Sequence, residues 1–361
     1  MKLKFKCLLF LLLPIMAYAV EGKTAYKKII TKNFTVDNNA NFNVANKYGK
    51  IIFHTWNKNE VKATITITGF GKDDAQAQSN AEAVEIKSEN SSSQISLRTT
   101  YNRPGSGGSW FSWGNNNNDT KGYVNIDYDI YVPQSLQQVM VDNQFGDVIV
   151  ERFTFPAILN MNYCTFDIRD AENLNLKINY CDKGKIGRAK QVDLKANYST
   201  VNVERAENIV TAANYSNYTV ERAQDVKLNA NYSDLKIGKI NSLDGKYTYS
   251  DVKAEEVQSE INVSLTYGGI KVEKVGTGFK GADLRGVYSD IKLAFSRRQP
   301  LAIQANLVYG NLRVSGLDVK NVYSEKKGSV HNYSAIAGGG NDGSPQVKIK
   351  GTNTDVNLDV F

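Results

Sequence analysis

The residues able to do chemistry are few, and most recur at a fixed spacing. Asp147, Asp182, Asp234, Asp251 and Asp290 each stand two places after an aromatic ring. A column of carboxylates could coordinate a cation through oxygen ligands. Aspartate at that place also suits a solvated tight turn, and Thr165, Thr200, Asn217 and Asn311 interrupt the column. The turn is the simpler reading, because the glycine-aspartate nonapeptide of calcium-binding repeats is absent. His54 and His331 are the two histidines of the chain and lie far apart, so histidine acid-base or metal chemistry is not indicated, and both read as surface or strand residues. No Gly-x-Ser-x-Gly elbow or phosphate-binding glycine loop occurs. The sequence therefore points to no catalytic residue, no cofactor and no metal site.

Cys164 and Cys181 sit 17 residues apart, each directly after a tyrosine. If successive copies stack about 4.8 Å apart, their α-carbons come within disulfide range. Either a disulfide or two stacked thiols fits, and two cysteines without a nearby histidine make a poor metal site. Trp110, Phe111 and Trp113 lie in a low-complexity stretch, residues 102–122, rich in Gly, Ser and Asn. Such rings could contact a partner or a sugar. A hairpin tip whose rings cover a neighbouring strand is the plainer expectation.

These residues hang on a repeat. Met161-Asn162-Tyr163-Cys164, Ile178-Asn179-Tyr180-Cys181, Ala196-Asn197-Tyr198-Ser199, Ala213-Asn214-Tyr215-Ser216 and Ala230-Asn231-Tyr232-Ser233 are successive copies. Looser copies centre on Tyr249, Tyr267, Tyr288 and Tyr309, and Phe145 reads as a first copy. Apolar residues recur two, four and six places before the tyrosine, as in Val192, Leu194 and Ala196. They recur three and five places after it, as in Val201 and Val203. Strict alternation marks half-buried strands, and a change of parity demands a bend or bulge. Extended to the tyrosine itself, the alternation predicts rings that point inward and pile along an interior column.

A unit of 17 or 18 residues cannot bury an apolar face alone, so copies must stack and share it. The expected fold is all-β, a parallel β-solenoid with columns of Tyr, Asn and Ser/Cys. An antiparallel meander is the rival. Asn197, Asn214, Asn231 and Asn332 match the glycan-acceptor pattern, but an amide ladder along the stack explains their period. Glu151-Arg152, Glu204-Arg205 and Glu221-Arg222 read as exposed corner pairs, each worth a fraction of a kcal/mol.

The composition, 41% hydrophobic with six prolines, suits a globular all-β chain. The net charge of +7 includes Lys2, Lys4 and Lys6. The remainder is too evenly mixed with acids to indicate a nucleic-acid partner. Residues 1–19 read as a secretory signal: those lysines, an apolar run from Cys7 to Met16, and Ala17-Tyr18-Ala19. That run is too short to span a membrane, so the remaining chain is expected to be exported, to a periplasm or cell surface. Residues 20–137 form an N-terminal β-rich capping region with one helix over Asp73–Ala83, started by Asp73 or Asp74. Residues 138–316 form the solenoid, and residues 317–361 form closing strands around Gly351-Thr352-Asn353.

Asn46-Lys47-Tyr48-Gly49-Lys50-Ile51-Ile52, Trp56-Asn57-Lys58-Asn59-Glu60-Val61, Asp127-Tyr128-Asp129-Ile130-Tyr131-Val132-Pro133 and Phe145-Gly146-Asp147-Val148 carry a resemblance. The chain resembles bacterial envelope proteins described as putative adhesins with β-strand repeats, related to adhesin heads of the GIN type. The resemblance implies a right-handed parallel β-helix and transfers no catalytic residue. The function expected is a non-enzymatic adhesin or scaffold meeting a cell-surface glycan or envelope protein. The alternative is a carbohydrate-active β-helix enzyme of the polysaccharide-lyase kind.

Overall fold

The computed structural model describes residues 24–37, 39–91, 93–101 and 122–361. The first part contributes β1 (Thr24–Thr35), β2 (Asn41–Lys47), β3 (Ile51–Trp56), β4 (Glu60–Gly71), helix α1 (Asp74–Glu82), β5 (Val84–Asn90), β6 (Gln94–Tyr101) and β7 (Tyr123–Pro133). The repeats supply β8 (Gln138–Gln144), β9 (Asp147–Val150), β10 (Ala157–Asn162), β11 (Thr165–Asn179), β12 (Gly184–Asn197), β13 (Thr200–Asn214), β14 (Asn217–Asn231), β15 (Asp234–Thr248), β16 (Asp251–Val275) and β17 (Gly281–Phe295). The rest of the chain adds β18 (Leu301–Val308), β19 (Leu312–Val314), β20 (Val319–Lys327), β21 (Val330–Ala337) and β22 (Gln346–Val360).

The architecture is all-β, built on a long and mostly parallel sheet of consecutive strands. β11 to β16 each pair in parallel with the next strand, so Val192 lies opposite Ile209 and Ile209 opposite Val226. The period read from the tyrosines is thus the pairing register, and the meander is excluded. Asn41–Trp56 is a rung of the same stack: β2 runs parallel to β8, and β3 to β9. Beyond it β6 and β7 also lie parallel to β2 and β3. Antiparallel β1, β4 and β5 follow on that side.

Helix α1 begins where the sequence places it, with the Asp73 carboxylate accepting from the Gln76 amide at 2.8 Å. It packs so closely on β4 that a Cβ at Gly69 would meet the Ala77 carbonyl at 2.2 Å.

At the other end the order departs from the chain. β17 pairs in parallel with β22, and β22 pairs in turn with β18 and β19. The last strand is therefore inserted between two strands that precede it. β21 lies antiparallel on β18, and β20 antiparallel on β21.

The core is a set of columns. Leu176, Leu194, Thr211, Leu228, Gly245 and Val263 form one, and Ile178, Ala196, Ala213, Ala230, Tyr247 and Leu265 its neighbour. Tyr247 is fully buried and leans over Gly245, where a Cβ would stand 2.7 Å from its hydroxyl. A large residue beside a missing side chain keeps the layer filled.

Candidate functional site

Two corners of the rung carry most of the side chains of interest among the described residues. At the first, Tyr48, Phe145, Tyr163, Tyr180, Tyr198, Tyr215, Tyr232, Tyr249, Tyr267 and Tyr288 all have φ between +48° and +65°. Their rings stack face to face at 4.8–5.4 Å with interplanar angles of 14° or less. The tyrosine column exists, but it does not line the interior. From Tyr163 to Tyr288 the tyrosines of the stack are 44–53% exposed. The left-handed residue makes the turn by itself and swings its own side chain outward. The residue after it, Cys164, Cys181, Ser199, Ser216, Ser233, Ser250 or Ser289, points in and is buried. Alternation fails at the tyrosine because that residue is the bend.

Two hydrogen-bond ladders hold this corner. Asn179 donates its amide to the Asn162 side-chain oxygen, and Asn197, Asn214 and Asn231 continue the chain at 2.8–3.0 Å. Inside, the hydroxyls of Ser199, Ser216, Ser233 and Ser250 each donate to the carbonyl two residues back and accept from an amide of the rung before. Ser216 donates to the Asn214 carbonyl at 2.8 Å and accepts from the Ser199 amide at 3.1 Å. Cys164 and Cys181 are buried free thiols in this column, and Cys181 donates its amide to the Ser199 hydroxyl at 3.0 Å. Burial pushes the Cys164 thiol up to about 11 and raises Cys181 as well.

The aspartates lie on the exposed side of the same turn. Asp251 accepts from the Gly269 amide at 2.9 Å and Asp147 from the Thr165 hydroxyl at 2.6 Å. Among the described residues no group of three His, Cys, Asp or Glu is placed to hold a metal ion. Trp110, Phe111 and Trp113, like residues 1–19, lie outside the described residues. No helix among those described is long and apolar enough to cross a membrane.

The second corner brings together what the sequence leaves scattered. Strand register places Asp170, Arg188, Arg205, Arg222, Lys239 and Glu256 in one column. The acids at its ends are paired on both sides: Asp170 with Arg152 at 3.7 Å and Arg188 at 3.5 Å, Glu256 with Lys239 at 3.5 Å and Lys274 at 3.0 Å. The hydrogen bond from Lys274, with the charges of Lys274 and Lys239, holds the Glu256 carboxyl below its ordinary range. Arg205 and Arg222, in the middle, have no carboxylate of the described residues at ion-pair distance. The corner pairs read from sequence thus align like charges along the stack. Beside them Ala171, Ala189, Ala206 and Ala223 floor a groove of about 650 Å³ whose far wall carries Glu172, Lys190 and Glu207.

A third grouping joins three distant segments. His54 lies 3.1 Å from Asp129 and 3.6 Å from Glu151, with its ring stacked on Tyr131 at 4.6 Å. Parallel pairing of β3 with β7 and β9 assembles it. Nothing in the linear spacing announces it.

No family model and no curated protein matches the chain. Solved structures similar to it include a putative adhesin from Parabacteroides merdae, at 10% identity and a TM-score of 0.40, covering 74% of this chain and 95% of that one. A putative cell adhesion protein from Clostridium sporogenes, at 11% identity and a TM-score of 0.22, covers 94% of this chain and 100% of that one. A putative lipid binding protein from Parabacteroides distasonis, at 13% identity and a TM-score of 0.33, covers 73% and 94%.

Proposed function

We propose that this is an exported, non-enzymatic protein of the bacterial cell envelope, an adhesin or scaffold whose rungs wind as a right-handed β-solenoid. The observation that carries this reading is the tyrosine corner. Ring stack, amide ladder and serine ladder run side by side through successive rungs. In-register stacks of this kind stiffen a structure along its axis. The ring faces are covered by one another, so the strip offers edges and hydroxyls, with little face left for a sugar. The repeat therefore supports a rod that holds other surfaces in place. Partners on this reading are a cell-surface glycan or an envelope protein. Fractionation should place the protein in the periplasm or at the cell surface, and a glycan array should return binding without turnover. Recovery in the cytosol would refute it.

The arginine-lined groove is the feature that favours the alternative, a carbohydrate-active enzyme. Release of unsaturated ends from acidic polysaccharides by the purified protein would establish that reading in place of the first.

A further inference from the structure

Resting on the reading of a surface-presenting envelope protein, we propose that the second corner is a binding ridge for a linear acidic glycan, read by Arg188, Arg205, Arg222 and Lys239. Parallel in-register pairing sets these four cations side by side, about 4.8 Å apart from rung to rung. Like charges directly opposite one another on neighbouring strands are unfavourable. The same column shows how the chain relieves such a clash, since Asp170 and Glu256 each sit between two cations and pair with both. At Arg205 and Arg222 that relief is missing among the described residues, so the ridge keeps a concentrated positive charge where an external anion can take the place of the acid.

The period selects the ligand. A row of cations at rung spacing matches a polymer bearing one anionic group per extended repeat, as in a 1,4-linked polyuronate. A small anion would engage one or two positions only. Arginine suits the task because its planar fork meets a carboxylate or sulfate through two parallel hydrogen bonds. The alanine floor leaves room for a chain to lie along the column, in the groove of about 650 Å³. On the ridge's other side a second groove of about 660 Å³ is lined by Lys185, Glu204 and Glu221. Glu204, Glu207 and Glu221 favour a glycan over a polyanion that lacks hydroxyls. Their carboxylates accept hydrogen bonds from sugar hydroxyls, which a phosphodiester backbone or a polyglutamate chain does not offer along its length.

The test is titration of the full-length protein with a linear polyuronate, a neutral glycan of the same linkage, polyglutamate and single-stranded DNA. The polyuronate should bind, weaken with added salt, and exceed each of the other three at least tenfold. The double variant R205A/R222A should lose at least tenfold in affinity with a melting temperature no lower than that of the parent. R205K/R222K should retain the salt dependence and recover part of the affinity. No polyuronate binding, equal binding of polyglutamate or DNA, or full affinity in R205A/R222A would each overturn the proposal. Fractionation of the same protein separates the two claims: an envelope protein that fails to bind refutes the ligand alone, and a cytosolic one refutes the underlying reading.

Discussion

Tyr288 ends the unbroken ring stack because the residue in register with it on β22 is Asn353. Both adopt the left-handed conformation, at φ 51° and 49°. Asparagine takes that conformation more readily than any bulky residue, but it carries no ring. Tyr309, on the rung beyond, is left 70% exposed. Replacing Asn353 by tyrosine should bridge Tyr288 and Tyr309. The two new ring contacts offer about 0.5–1.5 kcal/mol each, less roughly 1 kcal/mol for the poorer backbone fit. A thermal melt should shift upward by a few degrees, and iodination of Tyr309 should slow.

Within the stack, the backbone and the ring can be separated at Tyr215. Tyr215→Ala removes two ring contacts and keeps a Cβ in the left-handed region. Tyr215→Asn removes the same contacts with a residue suited to that φ. The alanine variant should be the less stable of the two by about 0.5–1 kcal/mol. Hydrogen exchange at the Ser199 and Ser216 amides would report the difference locally, which suits a repeat whose rungs need not unfold together.

The serine ladder predicts an asymmetry between two conservative changes. Ser216→Ala leaves the Ser199 amide without its acceptor inside the core, at a cost of about 1–3 kcal/mol. Ser216→Cys keeps a group of similar shape at a position where Cys164 and Cys181 already serve. It should cost clearly less by denaturant titration.

Removing a hydroxyl should help at Tyr247. Its oxygen is buried beside Gly245 and finds no hydrogen-bond partner among the described residues. Tyr247→Phe retains the packing and sheds a desolvated polar group, so stability should hold or rise by up to about 1 kcal/mol. Gly245→Ala, forced against the Leu228 carbonyl at 2.2 Å, should destabilise by more than 1 kcal/mol, by roughly the cost of an overpacked core.

Acid sensitivity should localise at Glu256. Its carboxyl is held below its ordinary value by Lys274 and Lys239. A carboxylate shifted down in the folded state adds stability above its unfolded pKa and loses it as pH falls through the folded one. The contribution is therefore full at neutral pH and disappears from about pH 4 downward. Glu256→Gln should lower stability at pH 7 and flatten the acid limb of the unfolding curve.

The cysteine pair lends itself to a chemical test. Buried thiols pushed up in pKa stay protonated at pH 7 and should react slowly with an alkylating reagent until the chain unfolds. A bridge between Cys164 and Cys181, the other arrangement their spacing allows, would instead resist alkylation in denaturant until reduced. Immediate labelling on unfolding would show two thiols.

The rung period, the parallel pairing and the Asn and Ser columns were legible because each depends on residues 17 or 18 apart. The outward turn of Tyr163 and its successors was not. Alternation places an apolar ring inside, and bulky residues avoid a positive φ, so nothing local marks the tyrosine itself as the bend. The arginine ridge needed register: Glu204-Arg205 reads along the chain as a neutral pair, and only pairing with Arg188 and Arg222 shows the cations aligned. The grouping of His54 with Asp129 and Glu151 spans three strands, and the insertion of β22 joins strands that are not consecutive. Both are non-local by construction.

The placement of β22 imposes a schedule on the chain. Gly281–Phe295 and Leu301–Val308 emerge first, yet each lacks one of its two final neighbours until Gln346–Val360 has followed. During synthesis, that end of the stack stays open until the closing segment arrives. A protein clipped short of Gln346 would keep its regular rungs and leave two bare strand borders, ready to recruit a second molecule in place of the missing piece.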